Sequence, residues 1–250
     1  MDFGLTDFTL LQAFGVAVVT FIASVIGGLA GYGTGLIMPL VLVPIIGAEA
    51  TVPVIAVSAI LTNLSRVFAF YKLIDWRAVL IATPLSLLSV WLSARFFTSL
   101  DQREATLAIG CVLLAVVPLR RVLKSINFKL GDKGLALGGG VYGLVTGTST
   151  GAGVILISIL MAAGLVGSAV VATDAAISVL IGVVKISTFH FYNALPENII
   201  VLGVILGLCT MPGAYVAKLI ANRLSAKNHT MLLDAAVLLG GIAMIARALG

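Results

Sequence analysis

Two stretches decide how this chain is read: GGLAGYGTGLIMPLVL at residues 27–42 and GLVTGTSTGAGVILISIL at residues 143–160. Each is apolar enough for a membrane interior, and each is interrupted by glycines and hydroxyl residues. Length argues that the chain turns at both places. A continuous helix from Leu10 to Gly47 would be about 57 Å long at ~1.5 Å per residue, nearly twice a hydrocarbon core of ~30 Å. One from Gly134 through Gly164 would reach about 46 Å at the same rise. Close helix packing is the competing reading, because Gly27, Gly31 and Gly35, and Gly139, Gly143, Gly147 and Gly151, recur every four residues, the spacing of small-residue contacts between helices. Out-of-phase Gly28, Gly33 and Thr34 in one stretch, and Thr148, Ser149, Thr150 and Gly153 in the other, favour a break.

The rest of the chain fits this setting. Of 250 residues, 60% are hydrophobic and 10% charged, against roughly 25% charged in a soluble domain, and apolar runs near the ~20-residue membrane-crossing length recur. An all-α polytopic membrane protein follows. Soluble enzymology, disorder and nucleic-acid binding are excluded, so the net charge of +5 reports loops rather than a nucleic-acid partner. No cofactor is indicated, since a GxG without a βαβ context is no dinucleotide fingerprint. Cys111 and Cys209 lie alone in apolar runs and suggest neither disulfide nor zinc site. No paired carboxylates, metal-ligand cluster or nucleophile elbow points to an enzyme. The first ten residues, MDFGLTDFTL, lack the basic region of a secretory signal, so the first apolar segment is read as a retained helix.

The basic stretch from Arg120 to Lys133 sets the orientation, because short basic loops stay in the cytoplasm. Counting outward puts 72–77, 165–167 and 218–229 on the inner side and 48–51, 97–104 and 192–197 on the outer side. Ten basic residues then lie inside and three outside, with Arg66 and Lys185 within spans. Both termini fall on the periplasmic side.

The chain also aligns with itself at an offset of about 118 to 126. Gly33-Thr34-Gly35 matches Gly151-Ala152-Gly153, Arg66 matches Lys185, and Ala94-Arg95 matches Asn222-Arg223. Residues 1–119 form a first transmembrane repeat, 120–133 a basic cytoplasmic linker, and 134–250 a second repeat. Each repeat is a Gly-broken helical hairpin plus three transmembrane helices. A pair that enters and returns, followed by three crossings, makes each half odd, so the second repeat is inverted. Inverted repeats with broken helices are a recurring plan of secondary transporters, with the substrate near the midplane.

Helices beginning near Thr34 and Gly151 would aim unpaired N–H groups and positive dipole ends at the gap, which suits a small oxyanion. Candidate substrate-binding residues are therefore Gly31, Gly33, Thr34 and Gly35 in the first break and Thr148, Ser149, Thr150, Gly151 and Gly153 in the second. Beside them run two polar stripes: Ser58, Thr62 and Arg66, with Asn63 nearby, and Asp174, Ser178 and Lys185. A charge inside a span costs ~2.5–3.5 kcal/mol, so each needs an account. Arg66 and Lys185 either face the anion or snorkel to an interface; Asp174 either binds a coupling proton or pairs with Lys185.

Together the two glycine segments, the ATDA at Ala172 to Ala175 and the duplicated layout resemble the sulfite exporter TauE/SafE family, grouped with the toluene-sulfonate uptake permeases. The usual run of three glycines is replaced here by Gly33-Thr34-Gly35 and Gly151-Ala152-Gly153. The resemblance implies a transporter of sulfite or an organosulfonate in the bacterial plasma membrane, and it adds Thr173 to the candidate residues. The expected partners are a small anionic substrate, the lipid bilayer, a coupling proton or sodium ion, and a second copy of the chain in a homodimer. Two other readings stand beside this one: a carrier of another small carboxylate or oxyanion, and a non-transporting subunit that packs on a partner through its glycine ladders.

Overall fold

The computed structural model describes residues 10–30, 34–125, 129–220, 237–239, 241–246 and 248–249. No strand occurs among them. The first half runs α1 (Leu10–Ala30), α2 (Thr34–Ile46), α3 (Ala48–Phe70), α4 (Trp76–Phe97) and α5 (Gln102–Ser125). The second runs α6 (Asp132–Thr148), α7 (Gly153–Ala162), α8 (Ser168–Phe191) and α9 (Glu197–Ile220), followed by helical residues at 237–239 and 241–246. α2 and α7 have 13 and 10 residues, about 20 and 15 Å at the helical rise, so neither crosses a bilayer alone. Four helices, Ala48–Leu73 with its terminal turn, α4, Gln102–Leu119 of α5 and α8, are long and apolar enough to span among the described residues. Their outward faces carry Phe68, Leu80, Leu88 and Val183 in the open, a surface that water would not tolerate and lipid does.

Two boundaries differ from the sequence reading. The loop expected at 48–51 is compressed to Gly47, and α3 starts at Ala48 with Pro53 inside it. Gly47 takes the turn with a φ of +81°. The Gln102 amide oxygen accepts from the Ala48 and Glu49 amides at 3.1 and 3.3 Å, capping α3 from a different helix. α5 also continues to Ser125, past the expected start of the linker at 120.

Packing contacts come in equivalent pairs across the two halves. α1 packs on α9 as α6 packs on α4; α3 meets α9 as α8 meets α4; α2 rests on α3 as α7 rests on α8; and α3 faces α8 directly. One apolar core gathers Leu42 of α2, Val52 and Val54 of α3, Ile109 and Leu113 of α5 and Phe189 of α8. The other gathers Val79 and Val90 of α4, Leu156 and Leu160 of α7 and Ile177 and Ile181 of α8.

The closest approach is between α4 and α6. A Cβ on Gly139, Gly143 or Gly147 would land on the Ala82 carbonyl, the Ser86 carbonyl or the Ser93 hydroxyl of α4. The hydroxyls of Ser86, Ser89 and Ser93 donate to the carbonyls of Ala82, Leu85 and Ser89 at 2.6, 2.7 and 2.8 Å, so the serine stripe is satisfied within α4 and buries without penalty. Glycine spacing thus serves packing in α6 as well as the break that ends it.

Contacts also sort the connections into two ends. At one, Arg77 holds Asp132 through both carboxylate oxygens, at 3.1 and 2.8 Å, and the Leu130 amide donates to the Ala162 carbonyl at 2.8 Å. At the other, Gln102 caps α3 and the Arg95 guanidinium lies 5.7 Å from the Tyr192 ring centre. These are the groupings that the alternation of loops requires. Of the third expected inner loop, 218–229, residues 218–220 belong to α9 and the rest lies outside the described residues.

Substituting Gly143→Val should lower the unfolding midpoint in detergent, because overpacking a tight contact costs about 1–3 kcal/mol. Gly131→Ala, where an added Cβ meets nothing within 4 Å, should leave the midpoint unchanged; thermal unfolding of the two variants side by side checks the pair.

Candidate functional site

The breaks of the two hairpins touch. A Cβ at Gly35 would stand 2.5 Å from the Gly151 amide nitrogen, and one at Gly151 would stand 3.0 Å from the Gly35 carbonyl oxygen. Only glycine fits either place. Gly151 also has a φ of +83°, a conformation that a side chain would strain. α6 ends at Thr148, Ser149 is fully extended, and α7 restarts at Gly153. The N-termini of α2 and α7 therefore face one another within the helical body, with the orphan amides of their first turns.

Against this contact lies a cavity of about 130 Å³. Thr34, Gly35, Gly151 and Gly153 line it from the hairpins; Ser58, Thr62, Asn63 and Arg66 from α3; Tyr142 and Thr146 from α6; Ser149 and Thr150 from the second break; and Asp174, Ser178 and Lys185 from α8. Gly31 and Gly33, two of the expected residues, lie outside the described residues. Thr148 and Thr173 do not line the cavity. Thr148 directs its hydroxyl at the Val145 carbonyl, 3.4 Å away. Thr173 is fully buried and accepts from the Asp75 amide at 3.0 Å, next to the point where Asp75 caps α4 by accepting from Ala78 N. It fixes a connection rather than facing the cavity.

The polar groups divide into those already engaged and those with capacity left. Thr34 Oγ1 donates to the Ala23 carbonyl at 3.3 Å and Ser149 Oγ to the Val145 carbonyl at 2.8 Å. Neither hydroxyl is the spare donor that the sequence suggested: Ser149 serves a carbonyl in the last turn of α6 and Thr34 a carbonyl within α1. Thr150 is different: it is 5% exposed and its Oγ1 has no hydrogen-bond partner. Ser178 shares a 2.9 Å hydrogen bond with the Tyr142 phenol. The Thr62 and Thr210 hydroxyls share one of 2.5 Å, tying the cavity wall to α9.

Three charged groups are sealed in with them. Arg66 is 5% exposed, Asp174 2% and Lys185 4%, so neither cation snorkels to an interface. Arg66 and Asp174 act on one another electrostatically across the cavity. One Asp174 oxygen, Oδ1, is buried with no hydrogen-bond partner. Lys185 instead donates to the carbonyls of Thr146 at 2.5 Å and Ser149 at 2.9 Å. Two cations against one carboxylate leave the cavity positive when all three are charged. Helix N-termini, a spare hydroxyl and a positive balance of charge are features that suit a small anion, through charge and N–H donation. No group of three or more His, Cys, Asp or Glu suited to a metal occurs among the described residues.

Tyr142 and Thr146 were not among the expected residues. Their signal was available: Tyr142, Thr146 and Ser149 follow at intervals of four and three, which places them on one helical face ending at the break.

Compared with known protein families, residues 16–244 match the model described as Sulfite exporter TauE/SafE. No curated protein and no solved structure gives a significant match.

Thr150→Val should weaken binding of a small oxyanion roughly tenfold, since a hydrogen bond to a charged group contributes about 1.5–3 kcal/mol. Thr148→Val should leave the affinity at the wild-type value. Calorimetric titration of the solubilised protein with sulfite compares the two.

Proposed function

The chain belongs to the sulfite exporter TauE/SafE family, and from that premise we propose that it carries sulfite across the bacterial plasma membrane by alternating access. It is a multi-pass membrane protein of a transporter family, not of an enzyme family. The observation that carries the proposal is the positively biased cavity lined by the contact of Gly35 and Gly151 at the N-termini of α2 and α7. An anion there meets the amides of α2 and α7, the Thr150 hydroxyl and the charge of Arg66. Opposite charges about 4 Å apart attract by roughly 4 kcal/mol at an effective dielectric constant of ~20, enough to offset part of the anion's lost hydration.

The cavity's volume of about 130 Å³ has room for a four-atom oxyanion such as sulfite.

The paired contacts of the two halves support the movement. If the second half is inverted relative to the first, exchanging the roles of equivalent packing pairs converts an opening on one face into an opening on the other. The basic segment after α5 then lies in the cytoplasm and both termini in the periplasm. Asp174 is the proton site of this scheme. Its carboxylate stands where an arriving oxyanion would be repelled, and taking up a proton removes that repulsion, so anion and proton travel together.

Purified protein in proteoliposomes should give saturable sulfite flux that accelerates when a proton gradient is imposed in the same direction. Asp174→Asn should keep flux down a sulfite gradient and lose the acceleration. Absence of flux for sulfite and for organosulfonates, with correctly inserted protein, would refute the carrier reading; unchanged acceleration in Asp174→Asn would remove only the coupling.

A further inference from the structure

α6 ends inside the helical body, where the last carbonyls of a helix have no water to accept from and need another donor. Their accounts can be followed individually. The Val145 carbonyl takes the Ser149 hydroxyl. The carbonyls of Thr146 and Ser149, one within the helix and one beyond its end, both take the Lys185 ammonium, at 2.5 and 2.9 Å. Lys185 comes from the last third of α8, is 4% exposed and has its Nζ 5.6 Å from the centre of the Phe189 ring. An ammonium has three donors. Two serve carbonyls and the ring face takes up a further side of the charge, which leaves this cation committed to protein groups.

We propose that Lys185 is a positioning residue, clamping the end of α6 to the first residue of the break so that Thr150 and the α7 amides are held toward the anion. This rests on the anion-carrier reading of the same cavity. It assigns the lysine a task distinct from that of Arg66, its counterpart in the first half. The clamp spans the break: on one side is the last turn of α6, on the other the extended Ser149, and two residues later comes the left-handed Gly151 pressed against Gly35. A cation also suits the negative end of the α6 dipole. Without it, the Thr146 and Ser149 carbonyls would be buried without a donor, and the turn would reorganise to find others.

Two measurements separate clamp from ligand. In nanodiscs without any anion, hydrogen exchange of peptides covering residues 146–155 should speed up about tenfold in Lys185→Met, as expected when a local restraint is lost. Arg66→Met should leave those peptides unchanged. With sulfite present, Lys185→Met and Thr150→Val should each weaken binding about tenfold, and the double variant should be no weaker than the worse single, because both act through one element. Independent contacts to the anion would instead multiply to about a hundredfold. Multiplicative losses, or unchanged exchange in Lys185→Met, would overturn the proposal. Should Lys185→Met fail to fold, Lys185→Arg decides: it keeps donors for both carbonyls and should retain exchange and affinity, whereas a tenfold loss of affinity with native exchange would make residue 185 a direct ligand. Faster exchange in a protein that neither binds nor moves any anion would leave the clamp standing and sink the carrier reading.

Discussion

A helix that stops inside a bilayer exposes backbone groups that nothing in the lipid can satisfy, and the architecture follows from having two such stops. α2 and α7 are too short to reach both faces, so their first turns must lie within protein, and each supplies what the other lacks: a wall. The contact of Gly35 with Gly151 is the narrowest expression of that constraint. It brings two positive helix ends together, a repulsive arrangement that becomes favourable when an anion sits between them. The cavity, the buried cations and the hydroxyls around it are consequences of placing those ends at depth.

The frame that holds the ends is stiff where it needs to be. α4 and α6 meet through glycines with no space for a side chain, and a buried serine face on α4 satisfies its own hydrogen bonds. On the opposite side, Gly213 of α9 meets Ser24 of α1, whose hydroxyl donates to the Thr210 carbonyl. Small residues carry both contacts because dispersion and close backbone approach, rather than expulsion of water, hold helices together in lipid. α3 and α8, the two helices carrying the buried charges, lie between these pairs and touch one another.

Much of this was legible in the sequence for a physical reason. Membrane burial is written in composition and the need for breaks in simple length, whereas proline misleads as punctuation, since Pro39, Pro44, Pro53, Pro84, Pro118 and Pro212 all lie inside helices. α8 occupies residues 168–191, the whole of one apolar run. Arg66, Asp174, Ser178 and Lys185 come together at the cavity because each lies on a stripe that helical periodicity defines, while Thr150 reaches it from the break. What periodicity could not supply is the identity of each group's partner. Thr148, Ser149 and Thr150 are chemically alike in the sequence, yet two of them direct their hydroxyls at the Val145 carbonyl and one does not. Thr173 sits beside Asp174 and points to a different element. Tyr142 was hidden by being an aromatic residue in an apolar helix, where its ring reads as packing and its phenol goes unnoticed.

The two half-helices differ in one respect that duplication does not explain. α2 contains Pro39 and Pro44, whereas α7 contains no proline and its Ser158 hydroxyl donates to the Val154 carbonyl at 2.8 Å. Proline has no amide hydrogen, so the Gly35 carbonyl, at the very contact of the breaks, has no N–H four residues on to receive. α2 is missing two rungs of its ladder and α7 none. In the proposed carrier, in which the two halves would exchange roles, identical halves would make the two end positions equal in energy. A half-helix with missing rungs on one side only would remove that degeneracy and favour one resting side before any ion gradient acts.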